Sequence, residues 1–330
     1  MTPHMVGQQP NWPERPQVVL VGNPRARRHE VTSAVAELER FLTGGTLADV
    51  AGVDLDGSLD LSSIKADLIL NVGGDGSLLS LARRMHTNQI PVAGINFGKF
   101  GFLAEFEYED FYDDLTAILT GYFQIRERSM IGGQLMRGET QVADTYALND
   151  LVISRSHYSR IAQLEVWYDH HYCTNYHADG LILATPAGST AHSLSAGGPI
   201  LMPNMDAYVI TPICPHTLTV RPLVVPAGPP IRVAVAYSDD RVALIADGQD
   251  TVEMELGDEL IVYKPAQPFR LIRSGRRTFF ETMRRKLNWA GHGNIRLPKQ
   301  AATDPRTAIP EAEYHQEDTP HRDADEAAGK

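Results

Sequence analysis

The chain has 330 residues, which is long enough for two domains and a substantial hydrophobic core. Its formal net charge of -11 argues against broad nucleic-acid binding, because that binding depends on a basic surface. No apolar stretch approaches the roughly 20 residues of a membrane span, and the N-terminus lacks the layout of a signal peptide. We therefore expect a cytoplasmic protein that binds neither membranes nor nucleic acid. Cys173 and Cys214 are too few for a disulfide framework, and we expect reduced thiols.

Strands and helices are expected to alternate in the first half of the chain. Residues 1 to about 15 are rich in Pro, Gln and Asn without periodicity, so we expect them to be disordered. The predicted elements that follow are a strand at 17–22, a helix at 31–41, strands at 66–72 and 90–96, and a helix at 111–119. This alternation predicts an α/β domain over residues 16–125, with a parallel, Rossmann-like sheet covered on both faces.

One carboxylate, Asp75, lies in a glycine turn between a buried strand and a helix. The glycines of this turn permit positive φ and let a polyanion approach the backbone N–H groups; they are Gly73, Gly74 and Gly76. Ser77 is the expected N-cap of the helix. A carboxylate beside bound phosphate can accept a proton from an attacking hydroxyl or hold a divalent cation. Although Gly-Gly-Asp-Gly is also an ordinary turn, its position between strand and helix favours a phosphate or nucleotide site. Asp75 and Asn96 should lie at the same edge of the sheet.

Past about residue 125 the pattern changes to short alternating runs, which predict a β-rich domain over residues 126–270. The clearest of them are a strand at 141–148, a hairpin over 161–176 that turns near Asp169, and strands at 231–237 and 242–246. One helical exception is expected after Ser189. An amphipathic helix is predicted at 276–289, within a segment, 271–296, that returns to the first domain. The acidic tail, 297–330, is expected to be disordered.

The hairpin carries a cluster that we weighed as a metal site. His171, Cys173 and His177 share one face if the strand continues, and His170 is adjacent. Because no familiar ligand spacing is present, we favour side chains that decorate a hairpin. We therefore assign no protein metal ligands.

Four further segments concentrate Gly and small or polar residues; they are 147–150, 177–199, 211–218 and 247–249. Together with Gly73-Gly-Asp-Gly-Ser, they make the chain resemble the NAD kinases, enzymes that use ATP to phosphorylate the 2′-hydroxyl of the adenosine ribose of NAD. The resemblance covers roughly residues 17 to 290. It implies an α/β domain followed by a β-rich domain, as the patterns predict.

The resemblance also implies roles for particular residues. Asp75 would be the catalytic proton acceptor, and the glycine segment that starts at Asn96 would close over the nucleotide. The positions implied to bind NAD or ATP are Gly73, Gly74, Gly76, Phe102, Asn149, Asp150, Asp179, Thr190, Ala191, His192, Ser193, Leu194, Ser195 and Gln249, with Arg160 and His177 as additional positions. NAD and ATP would be the partners, a divalent cation such as Mg²⁺ the cofactor, and a homodimer or homotetramer the assembly.

Three positions depart from the family pattern. His192 stands where many members have Tyr, and Lys99 and Phe100 stand where Asn and Leu are common. These changes leave the nucleotide preference open. The sequence also does not decide between NAD and NADH as acceptor or between ATP and polyphosphate as donor.

Other readings remain open at this point. Basic residues that follow the first strand could meet ATP phosphates or form a solvated cluster; they are Arg25, Arg27 and Arg28. A lipid or sugar kinase and a catalytically silent NAD(P)-binding sensor are the competing functions. A Rossmann dehydrogenase is disfavoured, because no Gly-x-Gly-x-x-Gly follows the first strand.

Overall fold

The computed structural model describes residues 12–22, 28–45, 47–97, 101–155, 161–238, 241–275 and 277–287. The strands are β1 (Gln17–Gly22), β2 (Asp49–Asp54), β3 (Leu68–Val72), β4 (Val92–Asn96), β5 (Phe106–Glu107), β6 (Gln124–Arg128), β7 (Ile131–Arg137), β8 (Thr140–Ala147), β9 (Asp150–Arg155), β10 (Ala162–Tyr168), β11 (His171–Ala178), β12 (Gly180–Ala184), β13 (Ala207–Ile213), β14 (Leu223–Pro226), β15 (Ile231–Tyr237), β16 (Val242–Ala246), β17 (Asp250–Met254), β18 (Glu259–Tyr263) and β19 (Phe269–Arg273). The helices are α1 (Arg28–Gly44), α2 (Asp75–Met85), α3 (Phe111–Leu119), α4 (His192–Ser195) and α5 (Phe279–Leu287), with 3₁₀ turns at Tyr108–Asp110 and Gly188–Thr190.

The first sheet has the strand order β2-β1-β3-β4-β19-β6, and β5 pairs with β4. Neighbours from β2 to β19 are parallel, whereas β6 is antiparallel to β19. Alternate residues of the buried strands face opposite sides of the sheet. Leu20 and Leu70 pack with α1 and α3 on one side, and Val19 and Ile69 pack with α2 on the other. The predicted α/β domain with a sheet covered on both faces is confirmed.

The second half is β-rich, as predicted, and consists of two six-stranded antiparallel sheets. One has the order β11-β10-β15-β18-β7-β8, and the other has the order β14-β13-β12-β9-β16-β17. Apolar residues of both sheets share one core cluster. The hairpin of β10 and β11 turns at Asp169, whose φ of 57° lies in the left-handed region that tight turns use.

Helix boundaries differ from the sequence predictions in three places, one of which is α5, which begins at Phe279 and not at 276. Helix α1 extends three residues beyond each end of the predicted range 31–41, and its buried stripe runs from Val31 to Leu42. The prediction of Ser77 as N-cap of α2 was wrong, since the helix begins at Asp75 after Gly74 and has no side-chain cap. The Ser77 hydroxyl instead donates to the Asn71 Oδ1 atom at 2.7 Å. Ser77 therefore ties the first helical turn back to β3.

Several predictions lie outside the described residues: those for Arg25, Arg27, Lys99, Phe100, Arg160, the side chain of Arg28, the segment 1–11 and the tail 297–330. The prediction of disorder up to about residue 15 was wrong at Trp12, because its indole N–H donates to the Ile118 carbonyl at 2.9 Å and its ring stacks on Phe123. In the part of the chain that the structure describes, no helix has both the length and the apolar character needed to cross a bilayer.

Candidate active site

Asp75 is the first residue of α2, at the edge of the sheet where β3 ends. Its carboxylate accepts hydrogen bonds from the backbone N–H groups of Phe102 at 2.8 Å, Leu103 at 3.2 Å and Ala104 at 3.0 Å. These donors belong to the segment that follows the neighbouring strand β4. The two parallel strands thus deliver an acid and a set of amide donors to the same edge, as strand–helix alternation requires.

Gly101 makes this arrangement possible. A Cβ atom at position 101 would lie 1.9 Å from Oδ1 of Asp75 and 2.5 Å from Oδ2, so any other residue would displace the carboxylate. Gly73 has a similar role, because a Cβ there would lie 2.8 Å from the Cβ of Ser77. Gly73 and Gly101 therefore serve close packing, whereas a Cβ at Gly74 would meet no atom within 4 Å and one at Gly76 would meet only the Gln249 Nε2 atom, at 3.8 Å.

A second carboxylate, Asp247, organises the start of β9. It accepts backbone hydrogen bonds from Leu148 at 3.1 Å, Asn149 at 2.7 Å and Asp150 at 3.2 Å. Arg83 of α2 forms an ion pair with it at 2.9 Å, and the side chains of this pair are 9% and 0% exposed. Asp247 has a φ of 50°, which places it in the turn after β16. The Asn149–Asp150 backbone is thereby held by a residue far along the chain.

Asp150 is almost completely buried beside this carboxylate, with 4% of its surface exposed. Burial and, to a lesser extent, the charge of Asp247 raise the pKa of Asp150 to about 7. Burial also raises the pKa of Asp247, while its three backbone donors and Arg83 oppose that rise. Asp150 consequently titrates close to neutral pH and can accept or donate a hydrogen bond, depending on its protonation state.

Gln249 connects the two halves of the site. Its Nε2 atom donates to the carbonyl of Gly76 at 2.9 Å, and its Oε1 atom accepts from Arg83 at 2.7 Å. Arg83 also donates to Asp250 at 2.8 Å. The turn between β16 and β17 is thus clamped onto α2, which carries Asp75.

The turn after β12 packs against Asn149. The Thr185 hydroxyl donates to the Leu148 carbonyl at 2.6 Å and accepts from the Gly188 N–H at 3.1 Å. A Cβ at position 188 would lie 2.0 Å from the Asn149 carbonyl oxygen. The run of small residues in Thr185-Pro-Ala-Gly-Ser-Thr therefore brings two backbone segments into contact.

A cavity of about 540 Å³ unites these elements, a size within the range of small-molecule pockets. Five of the sequence-predicted site residues line it: Asp75, Phe102, Asn149, Thr190 and Ala191. The carboxylate, the amide side chain and the small-residue turn are therefore adjacent, although they come from three separate regions of the sequence.

Other predicted residues lie elsewhere. Ser193 is buried and shares a hydrogen bond of 2.9 Å with Thr211, whereas His192 and Ser195 are exposed and Leu194 is partly buried. Asp179 forms an ion pair with Arg155 at 2.7 Å. His177 is exposed on β11. None of these six predicted residues lines the cavity as the structure describes it.

Sequence reasoning did not identify the basic wall of the cavity. Arg126 and Arg128 come from β6, Arg273 comes from β19, and Arg277 precedes α5. The available signal was the run Gln124-Ile-Arg-Glu-Arg, because residues two apart on a strand share a face. The alignment of β6 with β19 cannot be read from that run.

The β10–β11 hairpin carries the residues considered as a metal site, and the sequence predicts no protein metal ligands there. Within the described ranges, no group of three or more His, Cys, Asp or Glu side chains is placed to hold an ion. His171 and Cys173 are exposed on β11.

Comparison with known proteins gives the family. Models of the N-terminal and C-terminal domains of ATP-NAD kinases match residues 18–123 and 148–274. The NAD kinase of Geotalea daltonii is 42% identical over 225 residues, which make up 68% of this chain and 79% of that protein. The NAD kinase of Rhodopirellula baltica is 38% identical over 281 residues, covering 85% of this chain and 89% of the relative.

Two solved structures share the fold. Yeast NADH kinase complexed with NADH aligns with a TM-score of 0.74 and 23% identity, over 86% of this chain and 90% of that one. An NAD kinase from Archaeoglobus fulgidus in complex with ATP aligns with a TM-score of 0.63 and 22% identity, over 82% and 97% of the two chains. Because both domain models match and relatives of about 40% identity extend over most of its length, the chain belongs to the NAD kinase family.

Proposed function

We propose that this protein is an NAD kinase, which transfers the γ-phosphoryl group of ATP to the 2′-hydroxyl of the adenosine ribose of NAD and releases NADP and ADP. The observation that carries the proposal is the cavity in which Asp75 lies with Asn149, Thr190 and Ala191. Family membership supports the reaction, and the carboxylate of Asp75 in the cavity is a group that could activate a hydroxyl.

Asp75 would act as the proton acceptor. A ribose hydroxyl is a weak nucleophile, and a carboxylate within hydrogen-bond reach can take its proton while the hydroxyl oxygen bonds to the γ-phosphorus. The bond between that phosphorus and the β–γ bridging oxygen breaks, and ADP leaves with its electron pair. The amide donors from Phe102 to Ala104 keep the carboxylate pointed in one direction, so little reorganisation is needed at the moment of reaction.

Asn149 and Asp150 would orient NAD. Asn149 lines the cavity, and its backbone is fixed by Asp247, so its amide is held in place for ribose or adenine groups. Thr190 and Ala191 line the same cavity and would contact NAD beside Asn149. Other positions that the resemblance implies would contact parts of NAD farther from Asp75; they are Asp179, His177, Arg160 and the stretch 192–195.

A divalent cation, Mg²⁺, would enter with ATP. Asp75 is the one carboxylate among the described residues that line the cavity. This donor set fits Mg²⁺, which proteins commonly hold through one or two carboxylates together with substrate phosphates and water. When bound, the ion offsets phosphate charge.

The resemblance also supports an arrangement of domains and an assembly. We propose an α/β domain at 16–125, a β-rich domain at 126–270 and a segment at 271–296 that returns to the first. The pairing of β19 with β4 favours that return. A homodimer or homotetramer in the cytoplasm is expected, and light scattering on the purified chain would measure the assembly.

The decisive experiment is NADP formation from NAD, ATP and Mg²⁺ by the wild type and by Asp75→Asn. We expect turnover to fall roughly 10²- to 10⁴-fold in the variant, because the proton acceptor is lost. Asp113→Asn is the matched control, since Asp113 also lies in the first turn of a helix but does not line the cavity. It should keep full activity.

NAD binding must be measured alongside turnover. The asparagine amide has one acceptor oxygen where the carboxylate has two, so one of the three backbone donors would face an NH₂ group. Retained NAD affinity would show that this rearrangement stays local. Equal turnover in the variant would remove Asp75 from the mechanism, and a folded wild type that binds NAD without forming NADP would favour the sensor function.

A further inference from the structure

The basic wall of the cavity consists of Arg126, Arg128, Arg273 and Arg277. The first two lie two residues apart on β6, so their side chains share a face of the strand. Strand β19 pairs antiparallel with β6, in a register that places Gln124 opposite Arg273. Guanidinium groups from two neighbouring strands are therefore gathered at the mouth of one cavity.

Part of this charge is compensated by acidic side chains. Arg273 forms an ion pair with the buried Glu105, and Arg277 forms one with Glu107 at 2.5 Å. Arg128 forms no ion pair with a carboxylate within the described ranges, and its Nη1 atom donates to the Glu127 carbonyl at 2.9 Å. The wall thus keeps a positive charge that its own acidic residues do not neutralise.

Placing these groups together costs free energy in the unliganded protein. Burial, followed by the charges of Arg273 and Arg126, lowers the pKa of Arg128 to about 10, and the charge of Glu105 opposes this only in part. Burial also lowers the pKa of Arg273, although Glu105 acts in the opposite direction. A bound anion relieves the mutual repulsion of neighbouring cations, so the wall is suited to a ligand that carries several negative charges.

The position of the wall points to the phosphoryl donor. Arg273 lies close enough to Asp75 for the two charges to interact, so the cations border the carboxylate. Arg126, Arg128 and Arg273 lie on strands of the first sheet, whereas Asn149, Thr190 and Ala191, which would bind NAD, lie next to β9 and β12 of a different sheet. Guanidinium groups bind phosphate oxygens in a bidentate manner, and a triphosphate carries more charge than the diphosphate of NAD.

We propose that Arg126, Arg128 and Arg273 bind the linear phosphate chain of the donor and hold its terminal phosphoryl group towards Asp75. This proposal rests on the proposed kinase function. The ligand chemistry is a linear chain of phosphates, which either a nucleoside triphosphate or an inorganic polyphosphate could supply.

The test compares Arg128→Gln, Arg126→Gln and Arg128→Lys with the wild type. Arg126 is exposed, so its variant should fold even if the more buried position does not tolerate glutamine. Arg270→Gln is the matched control. Arg270 lies on β19 opposite Glu127, an odd number of residues from Arg273, so it faces away from the wall.

We expect each glutamine variant to raise the KM for MgATP roughly tenfold or more, because a hydrogen bond between charged groups is lost. The Kd for NAD should stay within about twofold, and Arg128→Lys should show a smaller effect than Arg128→Gln. Tripolyphosphate, which has no nucleoside, should compete with MgATP in the wild type and compete less well in the variants. Thermal unfolding would confirm that each variant is folded.

Two results would overturn the proposal. An unchanged KM for MgATP in folded variants would mean that the cluster does not bind the donor, and a parallel loss of NAD affinity would assign it to the diphosphate of NAD. Calorimetric binding of MgATP and of tripolyphosphate, measured without turnover, tests the cluster even if no NADP forms. MgATP and tripolyphosphate are also each tested as the phosphoryl donor in the NADP assay. The proposal requires that the variants raise the KM for the compound that yields NADP.

Discussion

Asp150 offers a quantitative test of the electrostatics at the site. Its pKa rises from an ordinary 3.8 to about 7, so the folded protein holds a proton that the unfolded chain releases. For a carboxyl group whose pKa is raised by folding, stability is highest below the unfolded pKa and falls as the pH rises towards the folded pKa. At about 1.4 kcal/mol per pKa unit, ionised Asp150 would lower the free energy of unfolding by about 4 kcal/mol above neutral pH.

Asp150→Asn removes this titration and resembles the protonated side chain. We expect the variant and the wild type to have similar free energies of unfolding near pH 4, and the variant to be more stable by about 4 kcal/mol near pH 8. The assay is urea unfolding of both proteins across this pH range, with the difference between them plotted against pH. Titrating groups that do not interact with Asp150 contribute equally to both proteins and cancel, so the difference reports Asp150 together with its interaction with Asp247.

The exposed Asp113→Asn is the control, and its difference from the wild type should stay within about 0.5 kcal/mol at every pH. Parallel stability curves for the wild type and Asp150→Asn would refute the reasoning, because they would mean that Asp150 ionises equally easily in the folded and unfolded chains. A stabilised variant would show that this buried acid is kept at the site in spite of its cost to stability.

Two further changes test the geometry. Gly101→Ala should reduce NADP formation by orders of magnitude in a folded protein, because the new Cβ would lie 1.9 Å from the carboxylate of Asp75. The control Gly228→Ala, where a Cβ would meet no atom within 4 Å, should leave NADP formation unchanged. Similar activity in the two variants would contradict the predicted clash. Arg83→Gln leaves the buried carboxylate of Asp247 without its ion-pair partner, so the free energy of unfolding measured in urea should fall by about 3–5 kcal/mol. A decrease below about 1 kcal/mol would mean that the three backbone donors alone stabilise that charge.

Much of the fold could be predicted because burial leaves a local periodic pattern. The strands at 231–237 and 242–246 and the helix at 111–119 have the predicted bounds, since alternation and helical spacing record which faces meet the core. The position of Asp75 at the end of β3 could also be predicted, because a glycine turn between a buried strand and a helix determines where the carboxylate emerges. Asn149 could be identified through the resemblance to the NAD kinases.

The surroundings of those residues were decided by tertiary structure. Asp247 holds the backbone at residue 148 from 99 positions away, and Asp75 is held by amides 27 to 29 positions further along the chain. Ser77 was misassigned for the same reason, because its hydroxyl has a partner on β3 that a local capping rule does not consider. The basic wall depends on β6 lying beside β19. A local sequence pattern indicates which side of a helix or strand is buried. The order of the strands in a sheet depends on the packing of the whole chain. Contacts between distant segments can therefore be seen only in the folded molecule.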